Sequence, residues 1–261
     1  MDAGQRSQYL AALGIDVWVP RHGAAVPETV VEPAEEAVAG SGVAVNVDPV
    51  ASLVAPGVAT PAVPLSADDE AQWGALRSEI MSCTRCSLHA TRTQGVVGVG
   101  YRQADWLVIG EAPGAEEDRR GEPFVGRAGQ LLDAMLRAIG LSRNTNVYIA
   151  NVLKSRPPGN RDPKPEEVAA CLPFLMRQIA LLQPRLILAV GRIAAQNLLS
   201  TDVPLGRLRG KVHYFGELNT PLIVTYHPAY LLRTPGDKRK AWEDLKFARN
   251  QFRQLTSQTD N

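Results

Sequence analysis

Cys83-Thr84-Arg85-Cys86 places two thiols three residues apart, and Cys171 is the only other cysteine in the chain. That spacing makes a pincer for a metal or a redox couple. GEAPG (110–114) crowds two glycines and a proline round Glu111, so a ligand there would meet bare backbone and a carboxylate. Glu116, Glu117 and Asp118 follow, and a solvated acidic loop is the plainer reading of most of them. EPFVGRAGQ (122–130) carries Phe124 into a helix start whose free amides suit a phosphate or an oxyanion. Ordinary packing is the alternative for Phe124. Asn151 ends a strand-like run, and its amide both donates and accepts, which suits a base edge or any imide. A buried Asn satisfied by backbone is the alternative. KSRPPGNRDPKP (154–165) is stiffened by prolines and made basic by Lys154, Arg156, Arg161 and Lys164, a loop suited to a bent phosphate backbone. YHPAYLLR (226–233) sets His227 before Pro228 and follows it with an apolar knuckle, Tyr230, Leu231 and Leu232, flanked by Arg233. Such wedges fill base stacks that have lost a nucleotide. Taken alone, a His before Pro is more often structural. GRLRGK (206–211) adds a second basic turn, with Arg209.

These residues need a frame. DWLVIG (105–110), NVYIANVL (146–153), PRLILAVG (184–191) and PLIVTY (221–226) read as four buried strands. Between and around them, 66–82, 128–140, 163–183, 192–199 and 237–252 read as helices. Alternation of this kind predicts an α/β fold, a three-layer α/β/α sandwich round a central, mainly parallel four-stranded sheet. Ligands bind such sheets at the carboxyl ends of the strands, which is where Glu111, Asn151 and His227 fall.

The wider chain sets limits. Its 261 residues are 45% hydrophobic and 21% charged, the balance of a soluble globular protein. No apolar run is long enough to span a bilayer, and the N-terminus lacks a signal-peptide pattern. Three distant cysteines make no disulfide framework, so a cytoplasmic protein with reduced thiols is expected. Two of the 28 basic and ten of the 27 acidic residues lie in residues 1–70, leaving that stretch at −8 and the rest at +9. The basic body is a mild pointer to a polyanion. Residues 1–20 read as a short apolar, aromatic peptide and 21–65 as an Ala/Val/Pro-rich flexible linker. Residues 66–255 read as the catalytic domain and 256–261 as a polar tail. The peptide suits either a protein partner or docking on its own domain.

CTRC, GEAPG, EPFVGRAGQLL, ANVLKSRPPGNRDPKPEE, CLPFL, LRG and HPAYLLR occur in the order and spacing of a known family. From Cys83 to about Phe252 the chain resembles the family 4 uracil-DNA glycosylases, the iron–sulfur branch of that superfamily. The resemblance implies a monomer that flips uracil from single- or double-stranded DNA and hydrolyses its N-glycosidic bond. That leaves an abasic site, the first step of base excision repair. It implies that Phe124 stacks on uracil, that Gly110 and Ala112 of the turn bind the substrate, and that Asn151 reads the base edge and rejects cytosine. His227 would bind the oxygen that gains charge. Glu111 and Glu117 would place water or stabilise the sugar cation. Ala112 stands where family 1 enzymes carry their water-activating Asp. Arg156, Pro157, Pro158, Arg161, Arg209, Tyr230 and Arg233 would meet DNA, with Leu231 or Leu232 filling the gap.

The resemblance further implies a [4Fe–4S] cluster on four cysteines. Cys83, Cys86 and Cys171 match three, and Ser155 stands at the other position, so an incomplete or labile cluster is expected. Its expected role is to pin loops. Cys83, Cys86, His89 and Cys171 also make a Cys3His set suited to zinc. Three rival readings remain: a non-catalytic binder of uracil or abasic DNA, a covalent trap with His213 as its nucleophile, and a dinucleotide enzyme. GVVGVG (95–100) precedes a strand where a dinucleotide fingerprint follows one. The GRLRGKVH stretch lacks the Arg-Arg-Ile-His run of the trapping relatives.

Overall fold

A computed structural model describes residues 66–259, so the N-terminal peptide and the whole of its linker lie outside the described residues. Ser66 caps the first helix, α1 (Ala67–Ser82), its Oγ accepting from the Asp69 amide at 3.0 Å. Three acids fill the first turn, where the helix dipole favours them. Trp73, Leu76 and Ile80 recur at helical spacing and are buried.

The sheet follows as β1 (Val99–Gly100), β2 (Trp106–Gly110), β3 (Val147–Asn151), β4 (Leu186–Val190), β5 (His213–Phe215) and β6 (Thr220–Thr225), in spatial order β1-β3-β2-β4-β6-β5. The inner four, β3-β2-β4-β6, are parallel. Short antiparallel strands extend the expected four-stranded sheet to six by adding one edge at each side. The glycine run 95–100 leads into the β1 edge.

Side chains alternate across the inner strands. Leu107 and Ile109 join a core with α1 and α4 (Pro165–Leu182), while Trp106 and Val108 join one with α3 (Arg127–Ala138) and α8 (Lys238–Thr259). The sheet therefore sits between two helical layers, as the sequence pattern predicts. The shorter helices are α2 (Ala115–Arg120), α5 (Arg192–Leu198), α6 (Leu205–Leu208) and α7 (Pro228–Arg233). Helix α8 runs on to Thr259, through part of the stretch expected as a polar tail. No described helix is long and apolar enough to cross a membrane.

Candidate active site

The carboxyl ends of β2, β3 and β6 meet at a cavity of about 400 Å³. Its walls include Glu111, Ala112, Phe124, Asn151 and His227, far apart in sequence and joined by the sheet. Asn151, the last residue of β3, pairs with Gly110 at the end of β2. A Cβ on Gly110 would stand 2.4 Å from Asn151 Oδ1 and 2.7 Å from the Phe124 ring, so only glycine lets amide and ring come together there. Asn151 is buried, and its Oδ1 has no hydrogen-bond partner. An orphaned buried acceptor is costly and marks a place for a donor.

Phe124 is buried with φ of 55°, a left-handed conformation costing a non-glycine residue about 1–2 kcal/mol. Arg143 holds the strained turn, donating to the Pro123 and Phe124 carbonyls at 3.2 and 2.9 Å while pairing with Asp133. The Phe124 ring lies 5.5 Å from that of His227, leaving the two rings as cavity walls. His227 Nδ1 accepts from the Ala229 amide at 3.1 Å, so in the neutral ring the proton sits on Nε2. Burial, helped by Arg233 and opposed by Glu117, pushes the imidazole down to about 4. It is a neutral donor at physiological pH.

Glu111 is half-buried, and burial, with the Asp162 charge, pushes its carboxyl up to about 7 against the pull of Arg192. Asp162 and Arg192 pair with each other at 2.6 Å, and Asp162 lines the cavity. Neither they nor Arg143 was expected from the sequence, because only the fold brings them to Glu111 and Phe124. Glu117, expected as a second catalytic acid, lines the cavity as well. Its two carboxylate oxygens accept from the Gly114, Val125 and Gly126 amides, tying the GEAPG turn to the Phe124 loop. Those amides fix the carboxylate at the cavity wall.

The family model that matches the chain, over residues 97–246, is that of the Uracil DNA glycosylase superfamily. The chain belongs to that superfamily. It is 47% identical over 174 residues to the type-4 uracil-DNA glycosylase of Archaeoglobus fulgidus, covering 64% of this chain and 87% of that protein. The type-4 enzyme of Thermotoga maritima is 43% identical over 175 residues, 66% of this chain and 90% of the relative. The type-5 uracil-DNA glycosylase of Thermus thermophilus is 37% identical over 119 residues, 40% of this chain and 54% of that protein. The first two place the chain in the type-4 branch of the uracil DNA glycosylases.

A type-4 glycosylase raises the cluster question directly. Cys83 and Cys86 are half-buried past the end of α1, and Cys171 is buried on α4. Burial pushes the Cys171 thiol up, against the Lys154 amide that donates to its Sγ at 3.5 Å, with Cys86 and Cys83 acting in the upward direction. The fourth corner is taken: Ser155 Oγ accepts from Arg92 Nη1 at 2.8 Å. Arg92 Nη2 also donates to the Met81 and Cys83 carbonyls, so one guanidinium ties the CxxC segment to the Ser155 loop. His89 is exposed and turned to the Cys86 carbonyl at 2.7 Å, which does not complete a zinc set. Among the described residues no three His, Cys, Asp or Glu side chains are placed to hold a metal ion. A four-thiolate cluster does not fit this set as it stands.

The expected DNA-contacting residues divide. Arg156, Pro158 and Arg233 reach the surface, and Pro157 and Tyr230 line the cavity. Arg161 lines it too but donates to the buried Glu167 at 2.6 and 2.9 Å. Of the two leucines expected as a wedge, Leu231 is wholly buried against α8 and Leu232 is half-buried. Lys154, expected in the basic loop, is buried as well. Arg209 turns inward, pairing with Asp244 at 2.7 Å and lying over the Tyr226 ring. Asp244 also accepts from Thr225 Oγ1 at 2.8 Å, and burial pushes its carboxyl up. Removing one partner of such a pair costs about 3–5 kcal/mol. Arg209→Met is therefore expected to lower the thermal midpoint sharply while DNA affinity stays within about twofold, read by a melting curve and a binding titration. His213 bonds the Leu208 carbonyl at 2.8 Å and is not among the cavity residues, so the trapping nucleophile has no place there.

Proposed function

We propose that this chain removes uracil from DNA at the cavity between Phe124, Asn151 and His227. One observation carries the reading: an unpartnered buried acceptor on Asn151 shares a cavity with a neutral imidazole donor. Uracil presents the complement, an N3–H donor between two carbonyl oxygens. Cytosine presents an acceptor at N3 and is rejected.

Flipping the nucleotide costs a few kcal/mol, least from single strands or mismatches. Phe124 stacks on the base, Asn151 Oδ1 accepts N3–H, and His227 Nε2–H donates to a uracil oxygen. The N-glycosidic bond then breaks, its electron pair passing to uracil N1 and leaving positive charge on the sugar. His227 strengthens its bond as that oxygen gains charge, which is where a preorganised donor does most. Ionised Glu111 stabilises the sugar cation and takes a proton from the water that attacks C1′. The products are uracil and an abasic site. A carboxyl tuned near neutrality in the cleft favours catalysis over mere binding. Arg156, Pro157, Pro158, Tyr230, Leu232 and Arg233 lie along the strand, with the enzyme acting as a monomer.

Type-4 enzymes are iron–sulfur associated. In this chain Cys83, Cys86 and Cys171 are the residues that match such a site, and Ser155, bonded to Arg92, supplies no fourth thiolate, so any group bound there would be incomplete or labile. Its contribution is structural and no step of the reaction passes through it. Ser155→Cys is expected to raise both bound iron and the thermal midpoint of anaerobically purified protein. No rise in either, by iron assay and melting curve, means that the Arg92 bond to Ser155 already does the cluster's work.

The function is tested by incubating the protein with a labelled oligonucleotide holding one uracil, then cleaving abasic sites with alkali. A break only at the uracil position is expected. An intact strand, with folded protein still binding it, overturns the reading.

A further inference from the structure

Lys154 is 1% exposed, the one lysine among the largest fully buried side chains. It folds back towards the strand it follows. Its Nζ donates to the Asn151 carbonyl at 2.7 Å and to Gln178 Oε1 at 2.6 Å. Gln178, buried on α4, passes the connection on, its Nε2 donating to the Val97 carbonyl at 2.8 Å. The end of β3, helix α4 and the approach to β1 are thus joined through the Lys154 amine and the Gln178 amide. Neither of its acceptors is a carboxylate, so it is not there as half of a salt bridge.

Burying an amine this deeply is costly: burial pushes Lys154 down to about 7, and an apolar chain of similar length would fill the space more cheaply. The location supplies the reason. Asn151 is the last residue of β3, where the ladder gives way to the loop. The next two amides, Val152 and Leu153, donate at 3.0 Å to the carbonyls of Gly110 and Glu111, on the turn that carries the carboxylate. The backbone under the Asn151 side chain must therefore be fixed against both that turn and the helical layer. Lys154 makes the second attachment.

We propose that Lys154 is a positioning residue for Asn151, clamping its carbonyl to Gln178 so that the unpartnered amide oxygen stays where a flipped uracil presents its N3–H. The proposal rests on the uracil reading. A misplacement of about 1 Å costs on the order of 100-fold in rate.

The test is a double-mutant cycle in single-turnover uracil release, using Lys154→Met and Asn151→Ala singly and together. Residues that act through one another show non-additive losses. Lys154→Met is expected to slow release about 10- to 100-fold in the otherwise native chain and less than about threefold when Asn151 is already alanine. Binding to uracil-free DNA is expected to stay within about twofold. An equal loss in both backgrounds, or no loss in the native one, overturns the proposal. If Lys154→Met does not fold, Gln178→Leu removes the other end of the clamp and faces the same two criteria. Native release in the same assay reports separately on the uracil reading, since that reading fails only if the native chain is inactive.

Discussion

Asn151→Asp is expected to slow uracil release by roughly 100-fold and to bring cytosine release up to a measurable rate. The native amide oxygen is buried with no partner, beneath Phe124 and against Gly110. An acid in that place is protonated, because burial disfavours its charge. It then offers an O–H where cytosine N3 can accept, and a carbonyl oxygen for the cytosine amine. Uracil, with a donor at N3, needs the opposite placement of that proton, so its advantage over cytosine is reduced. Sites built round a buried hydrogen bond discriminate strongly because a wrong ligand leaves the group unpaired. Paired single-turnover rates on uracil and cytosine oligonucleotides measure the change. Unchanged uracil release without cytosine release would remove Asn151 from the reading of the base.

Glu111→Gln has the second large effect, a loss of about 10²- to 10⁴-fold in rate. Its pH signature is more specific than its size. The Glu111 carboxyl sits at about 7, so the ionised form that the reaction uses builds up as pH rises through 7. Native release should climb through that region and level off above it. The glutamine variant should be flat from pH 5 to 8, since His227, near 4, stays neutral throughout. Stability runs the other way. A carboxyl raised in the folded state holds its proton longer there than in the unfolded chain, so stability falls as pH rises from 4.5 to about 7. Glu111→Gln should therefore melt higher than the native chain at pH 8 and match it at pH 4. A variant that loses activity but melts lower at pH 8 would show that Glu111 is a structural group.

The positions of the reactive groups were legible because buried parallel strands read as short apolar runs. In DWLVIG, NVYIAN and PLIVTYH the chemistry stands just where apolarity stops. The edge strands were not legible: β1 has two residues and β5 three, too short for any alternation to show. Directions of long polar side chains were equally hidden. Lys154, Arg161 and Arg209 stand in basic, glycine- and proline-rich stretches that suit a phosphate backbone. Their acceptors, Gln178, Glu167 and Asp244, lie on helices that the sequence does not place. The same holds for Leu231, whose burial depends on α8 crossing behind it. Glu117 looked like one acid among several, and only the return of the Phe124 loop gives its oxygens three amides. Sequence displays which groups exist near a strand end, and packing decides which of them face the ligand.

The central claim is that a flipped uracil is held by its N3–H against Asn151. The most direct measurement is single-turnover base release by the native protein from three oligonucleotides alike except at one position, which holds uracil, cytosine or N3-methyluracil. Release of uracil alone is predicted, with the methylated base slower by at least about 10⁴-fold because its donor is gone and its methyl group meets a buried oxygen. Release of N3-methyluracil at a rate near that of uracil would contradict the account.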